Sequence, residues 1–386
     1  MADENGRFLA LMTSAHFVND GFEMIVPTIL PAIAVSLSLS FAQIGMVGGA
    51  MVAAMGMGQV FVGAGSDYFG HKKLLICFGI VLTSVSYVLM AASSSYYSLL
   101  ATNLLAGFGL SIYHPVGVAM ISNRFGKGQG RAMGIHGSGG NAGMFLFPLA
   151  AGFMADAVGW RLALATFPVL GFFIAALYAG LVKEEKVCCR GFEPRKLLVP
   201  VLAIIILALG LFNMSCRGFV IYFPVTLKDM GISSSLIGVY LSCYFGIGIA
   251  GQYMGGMLCD RYPKRLSLAV LSVVAGLAMY LAIRMPHGTV MVAALLVSGL
   301  AVHMIWPIFF VVYAERTPPS LRGTGMGVFF SMGYLFGAVA PAIMGHIGTW
   351  KTPDVAHYTI IATAVLAAAV IVCSGRFGAP PEGGQG

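Results

Sequence analysis

Charge is scarce in this chain. Asp, Glu, Lys and Arg make up 9% of its 386 residues, with 14 acidic side chains in all, where a soluble domain carries about 25%. A water-facing surface of ordinary composition is thereby excluded. Cysteine is also little used: the seven residues show no zinc-ligand spacing, and only Cys188 and Cys189, in a polar central loop, are adjacent. Neither a zinc module nor a disulfide framework is expected. The chain has no His-x-x-His pair, no serine nucleophile elbow and no phosphate-binding glycine loop, which argues against an enzyme and leaves no cofactor or resident metal to expect. A sensor reading lacks an appended soluble domain.

What is abundant is hydrophobicity, at 58% of residues with a mean hydropathy of +0.88. A hydrocarbon core of about 30 Å needs about 20 helical residues. Cutting the chain at polar runs such as "RFGKGQGR", "KEEKVCCRGFEPRK" and "ERTPPSLR" leaves twelve apolar segments of that size, among them 8–35, 96–122, 130–157 and 160–182. The expectation is an all-α integral membrane protein with twelve spanning helices. The leader "MADENGR" is acidic and the apolar run after it is long, so residues 8–35 read as a retained helix and not a cleaved signal. The net charge of +8 does not point to nucleic acid. Of 22 Lys and Arg, 17 fall on the side that carries both termini, a bias that places both ends in the cytoplasm and the chain in the cytoplasmic membrane.

An internal repeat organises these segments. Asp67 and Asp260, Pro31 and Pro224, Pro148 and Pro341, and Gly152 and Gly345 are each 193 apart, and Pro115 and Pro307 are 192 apart. An offset of half the chain predicts six helices duplicated in parallel order: a bundle over 1–182, a cytoplasmic linker over 183–197 and a second bundle over 198–386. Two such halves enclose a polar cavity near the midplane and rock around it to give alternating access. A monomer is the default for this arrangement.

The first segment carries "HFVNDGFE". At 100° per residue, Asp20, Glu23 and Asn19 lie at about +40°, −20° and −60° from His16, one stripe about 100° wide. An aspartate in mid-helix costs about 2.5–3.5 kcal/mol in lipid, so the stripe must face a cavity or a partner helix. The seventh segment offers the partner: Asn213 is the repeat position of Asp20, and Arg217 follows one turn later. Burial raises a carboxylate pKa, a nearby arginine lowers it, and a motion that separates the two switches which wins. His114 in "SIYHPVG", His136 and Asn141 in "MGIHGSGGNAG", and His303 and Trp306 in "VHMIWP" add groups that titrate, hydrogen-bond or stack on a ligand. Gly139 and Gly143 form a small-xxx-small pair suited to close helix packing.

The loops "GAGSDYFGHKK" and "GGMLCDRYPKR" resemble the cytoplasmic signature of the major facilitator superfamily. The matching residues are Gly63, Asp67, Gly70, Lys72 and Lys73 in the first copy and Gly256, Asp260, Arg261, Lys264 and Arg265 in the second, while Tyr68 and His71 stand where arginine is usual and Pro263 replaces a glycine. An aspartate at a helix end that accepts from a neighbouring helix or pairs with a cation, worth about 0.3–2 kcal/mol, suits a gate. "NLLAGFG" matches the superfamily's helix 4 motif at Gly107 and Gly109 but has Asn103 in place of arginine. "HFVND", "SIYHPVG" and "GRAMGIHGSGGNAG" resemble the fosmidomycin-resistance type of exporter, mainly in the first half, with His16, Asn19, Asp20, His114 and Asn141 as matching positions. That resemblance implies proton-coupled antiport of small, often anionic compounds. The stripe facing Arg217 supplies the roles: Asp20 as proton carrier, with His16 and Glu23 assisting, and Arg217 as the counter-ion or anion anchor. Uptake of an organic anion together with protons would use the same residues in the opposite direction.

Overall fold

The computed structural model describes residues 2–69, 71–125, 129–184, 200–317 and 322–374. Every regular element among them is a helix: α1 (Ala2–Ser36), α2 (Phe41–Phe69), α3 (Lys72–Ala91), α4 (Tyr96–Leu110), α5 (Tyr113–Phe125), α6 (Gln129–Leu181), α7 (Pro200–Asp229), α8 (Ser234–Arg261), α9 (Lys264–Arg284), α10 (Thr289–Arg316), α11 (Arg322–Trp350) and α12 (Pro353–Cys373). Helix is the solution that lets a single segment satisfy its own N–H and C=O groups in hydrocarbon.

Elements and crossings do not correspond one to one. The expected helix over 96–122 is cut at Ser111–Ile112 into α4 and α5, because Pro115 has no N–H to bond the carbonyl of Ser111. The expected helices over 130–157 and 160–182 run together as the 53 residues of α6, about 80 Å at 1.5 Å per residue and far more than one bilayer core. Gly159 breaks that run with φ 81° and ψ 157°, a left-handed conformation that favours glycine. Just beyond it, Arg161 donates to Ala91 O and Ser93 O at the end of α3, at 2.9 and 2.7 Å, while Lys183 has returned to Glu4 at 3.2 Å. Among the described residues, eleven helical runs are long and apolar enough to cross a membrane. The longest crosses twice, which makes twelve crossings.

Three further boundaries moved or fall outside the description. α1 begins well before the expected residue 8, since Glu4 lies near Lys183 and Arg124, and Arg124 Nε donates to Asn5 Oδ1 at 2.8 Å. Most of the expected linker, with Cys188 and Cys189, lies outside the described residues, as does Gly70.

Within the first half, α1 packs along α6. Gly139 and Gly143 make this possible: a Cβ on Gly139 would stand 2.5 Å from Thr13 O, and one on Gly143 would collide with Phe17 O. The small-xxx-small pair is therefore a backbone contact with α1. Replacing Gly143 by valine is expected to cost several kcal/mol, because the colliding atom is backbone and cannot rotate away. A thermal unfolding curve in detergent should show a large fall in midpoint or loss of the folded protein.

The halves meet through α2 on α11, α6 on α8 and α1 on α7. At the face away from the termini the contact is backbone to backbone: a Cβ on Gly45 would strike Pro341 O, and one on Gly152 would strike Ser234 O. Towards the terminal face, Gly134, Gly137, Gly256 and Gly327 have nothing within 4 Å of where a Cβ would stand. The backbone-to-backbone contacts between the halves thus lie on the side away from the termini.

Candidate functional site

Between the halves lies a cavity of about 430 Å³. Its first-half wall carries His16, Asp20, Glu23, His114, His136 and Asn141, and its second-half wall carries Asn213, Arg217, His303 and Trp306. The polar stripe of α1 thus faces the cavity and not lipid, with Asp20 and Glu23 only 3% and 2% exposed. Asn19 is buried beside it and donates to Asp20 Oδ1 at 3.2 Å.

Two acidic centres result, and they are built differently. Asp20 sits between two imidazoles: Oδ2 is 3.0 Å from His16 Nε2, and Oδ1 is 3.3 Å from His114 Nε2. His16 Nδ1 lies 2.9 Å from His136 O. A carbonyl only accepts, so Nδ1 carries the hydrogen, and attraction between Nε2 and the carboxylate then requires one more proton between them. The ring of His136 stacks on that of His16 at 4.2 Å. Gly140 admits the group, since a Cβ there would stand 2.5 Å from Asp20 Oδ2 and 2.7 Å from His16 Nε2. Among the described residues, His16, Asp20 and His114 also form the one set of side chains spaced to hold a metal ion, with ligand atoms within 4.8 Å of one another. Spacing along the sequence gave no such signal.

The second centre spans the interface. Arg217 Nη1 of α7 is 2.5 Å from Glu23 Oε1 of α1, Tyr334 Oη donates to Glu23 Oε2 at 3.4 Å, and the guanidinium lies over the Tyr334 ring at 5.0 Å. Removing one partner of such a buried pair costs about 3–5 kcal/mol, because the other is left uncompensated.

The sequence profile of the Major Facilitator Superfamily matches residues 12–341 and 205–383. The chain belongs to that superfamily. It is 24% identical over 360 residues to the fosmidomycin resistance protein of Escherichia coli (strain K12), covering 88% of this chain and 86% of that one. To the gentisate transporter of Corynebacterium glutamicum it is 24% identical over 389 residues, covering 95% and 87%. Its fold matches a bacterial homologue of the human lysosomal transporter Spinster, in an inward-facing and occupied conformation, with a TM-score of 0.82 at 17% identity, over 97% of each chain. Membership makes this facilitator a multi-pass membrane transporter of small molecules and not an enzyme.

Other anticipated residues of the facilitator occupy more ordinary places. His303 lines the cavity but its Nδ1 lies 2.7 Å from Gly299 O of its own helix. Trp306 stands in an aromatic wall with Phe310 and Phe329, ring centroids 6.5 Å away in each case. In the second signature loop, Asp260 and Arg261 are exposed, and Arg265 donates to Ile371 O at 3.1 Å and to Val372 O, fixing the loop to the end of α12. Lys264 pairs with Glu315 of α10. In the first loop, Lys72 is buried and Gly63 faces Pro115; the side chain of Asp67 is outside the described residues.

Among the unanticipated lining residues, two make polar contacts with anticipated ones. Gln252 exchanges amide hydrogen bonds with Asn141 across the halves, both at 3.3 Å, and Tyr334 holds Glu23. Both were within reach of the repeat: Gln252 is 193 after Gln59, and Tyr334 is 193 after Asn141.

Proposed function

We propose that the protein is a proton-coupled carrier of small organic acids, working by alternating access as a monomer in the cytoplasmic membrane, with both termini in the cytoplasm. The observation that carries this is the Glu23–Arg217 pair across the cavity. Among the described lining residues Arg217 is the one Lys or Arg, facing a space whose other polar groups are acids, histidines, hydroxyls and amides, set among aromatic and aliphatic side chains. An acid substrate takes the guanidinium, and Glu23, losing its counter-ion while still buried, takes a proton. Anion and proton then favour each other's binding, and by linkage the effect is reciprocal. Asp20 with His16 and His114 holds the second exchangeable proton beside the same space. The likeness to a gentisate transporter supports an acid as cargo.

Such co-binding gives uptake under an inward proton gradient. Export in exchange for protons is the second reading, favoured by the likeness to a fosmidomycin resistance protein; in it, cargo and proton compete for the cavity instead of assisting each other. Proteoliposomes separate the two. With labelled gentisate or fosmidomycin outside and an outside-acid gradient, co-binding predicts accumulation above equilibrium, at least about fivefold, that collapses with a protonophore. Accumulation only when the interior is the acid side supports exchange. Indifference of both fluxes to the gradient rejects proton coupling altogether.

A further inference from the structure

The face that closes the cavity away from the termini is built twice. At one seam, Asp156 of α6 accepts from the N–H groups of Ser234 and Ser235 at 3.1 and 2.6 Å and from Ser235 Oγ at 2.6 Å, all at the start of α8 in the other half. At the second seam, Thr349 Oγ1 of α11 accepts from the N–H of Ala42 at the start of α2, at 3.1 Å. Thr349 is 193 after Asp156, and Ser235 is 193 after Ala42. The local caps repeat as well: Ser233 Oγ accepts from Leu236 N and Ser40 Oγ from Gln43 N, both at 3.3 Å, again 193 apart. So do the close approaches, Gly152 on Ser234 O and Gly238 on Pro148 O at one seam, Gly345 on Phe41 O and Gly45 on Pro341 O at the other.

The first N–H groups of a helix have no partner within it. At each seam the helix's own serine satisfies one of them, and the opposite half satisfies others. The copies differ in chemistry. Asp156 brings a carboxylate, two backbone donors and the positive end of a helix; Thr349 brings a neutral hydroxyl and one backbone donor, helped by Tyr222 Oη, 3.0 Å from Phe41 O. Hydrogen bonds to an ionised acceptor are roughly twice as strong as neutral ones.

We propose that Asp156 and Thr349 are the positioning residues that set the balance between the two access states, Asp156 being the stronger clasp, and that both caps are released to water each time this face opens. The proposal rests on the alternating-access reading but not on proton coupling or on the cargo, and its test needs neither.

The test is amide hydrogen exchange of the full-length protein, read at both seams. Asp156→Ala is expected to raise exchange about tenfold around Ala42–Gly45, a segment the substitution does not touch, because opening parts both seams together. Thr349→Asp is expected to lower exchange below the parent at Ser234–Gly238, and the exchanged pair Asp156→Thr/Thr349→Asp to return both segments to near the parental rates. A rise confined to Ser234–Ser235 in Asp156→Ala, with residues 42–45 unchanged, would mean that the carboxylate only caps α8 locally and would overturn the proposal. So would a Thr349→Asp protein with parental exchange at α8.

Discussion

Replacing Arg217 by alanine is expected to lower the initial rate of acid accumulation by at least about 100-fold. The guanidinium is the fixed cation in the cavity wall and sits 2.5 Å from Glu23. Truncating one member of a buried charged pair costs about 3–5 kcal/mol, and every 1.4 kcal/mol is a factor of ten. Part of that loss would be instability, since Glu23 is left 2% exposed with no counter-charge. The double substitution Arg217→Ala/Glu23→Gln removes both charges. It should recover the thermal midpoint lost by the single substitution while remaining unable to accumulate substrate. Arg217→Lys keeps the charge but loses the planar fork and the contact with the Tyr334 ring, so an intermediate loss of about tenfold is expected. Uptake assays and unfolding curves on the same preparations check all three. Parental transport by Arg217→Ala would exclude it as the anion anchor.

Asp20→Asn is expected to cut proton-driven accumulation by about tenfold, down to what the proton on Glu23 supports alone, while leaving counterflow of labelled substrate within about threefold of the parent. The amide keeps the size of the carboxylate and an oxygen to face His16 or His114, but it cannot hold the extra proton that the 3.0 Å contact with His16 Nε2 demands. Cargo would still bind at Arg217 and cross, with the proton on Glu23 but without the second one to pull it further uphill. His114→Ala removes one of two imidazoles and should reduce accumulation less severely. If Asp20→Asn concentrates substrate as the parent does, the coupling site lies elsewhere.

Much of this was legible in the sequence, and the reasons differ by element. The twelve crossings follow from hydropathy and segment length, which the bilayer enforces. The α1 stripe and its link to Arg217 follow from helical angle and the 193-residue repeat, which leave Asp20 and Glu23 as alternative partners; the fold gives the guanidinium to Glu23. The breaks were harder. Pro115 was visible in the sequence, but a proline within a helix can kink it or end it, and here it ends α4 at Ser111–Ile112. The fusion of two crossings through Gly159 turns on a single left-handed residue. The Asp20 cluster itself assembles from α1, α5 and α6, and no spacing along one helix can show that His136 lends only its carbonyl to His16 while its ring stacks. Gly140 lies between the packing glycines Gly139 and Gly143, and its role is the room it leaves for a carboxylate and an imidazole.

The Glu23–Arg217 pair has an electrical meaning as well. Moving one elementary charge through the full membrane field changes the energy by about 2.3 kcal/mol per 100 mV. In the unloaded protein the two opposite charges of this pair move together, so the voltage across the bilayer gains no grip on them. In the proposed cycle the resetting half would then be governed by heat and by contacts between the halves, and the membrane potential would act chiefly on the loaded half, through whatever net charge cargo and protons carry together.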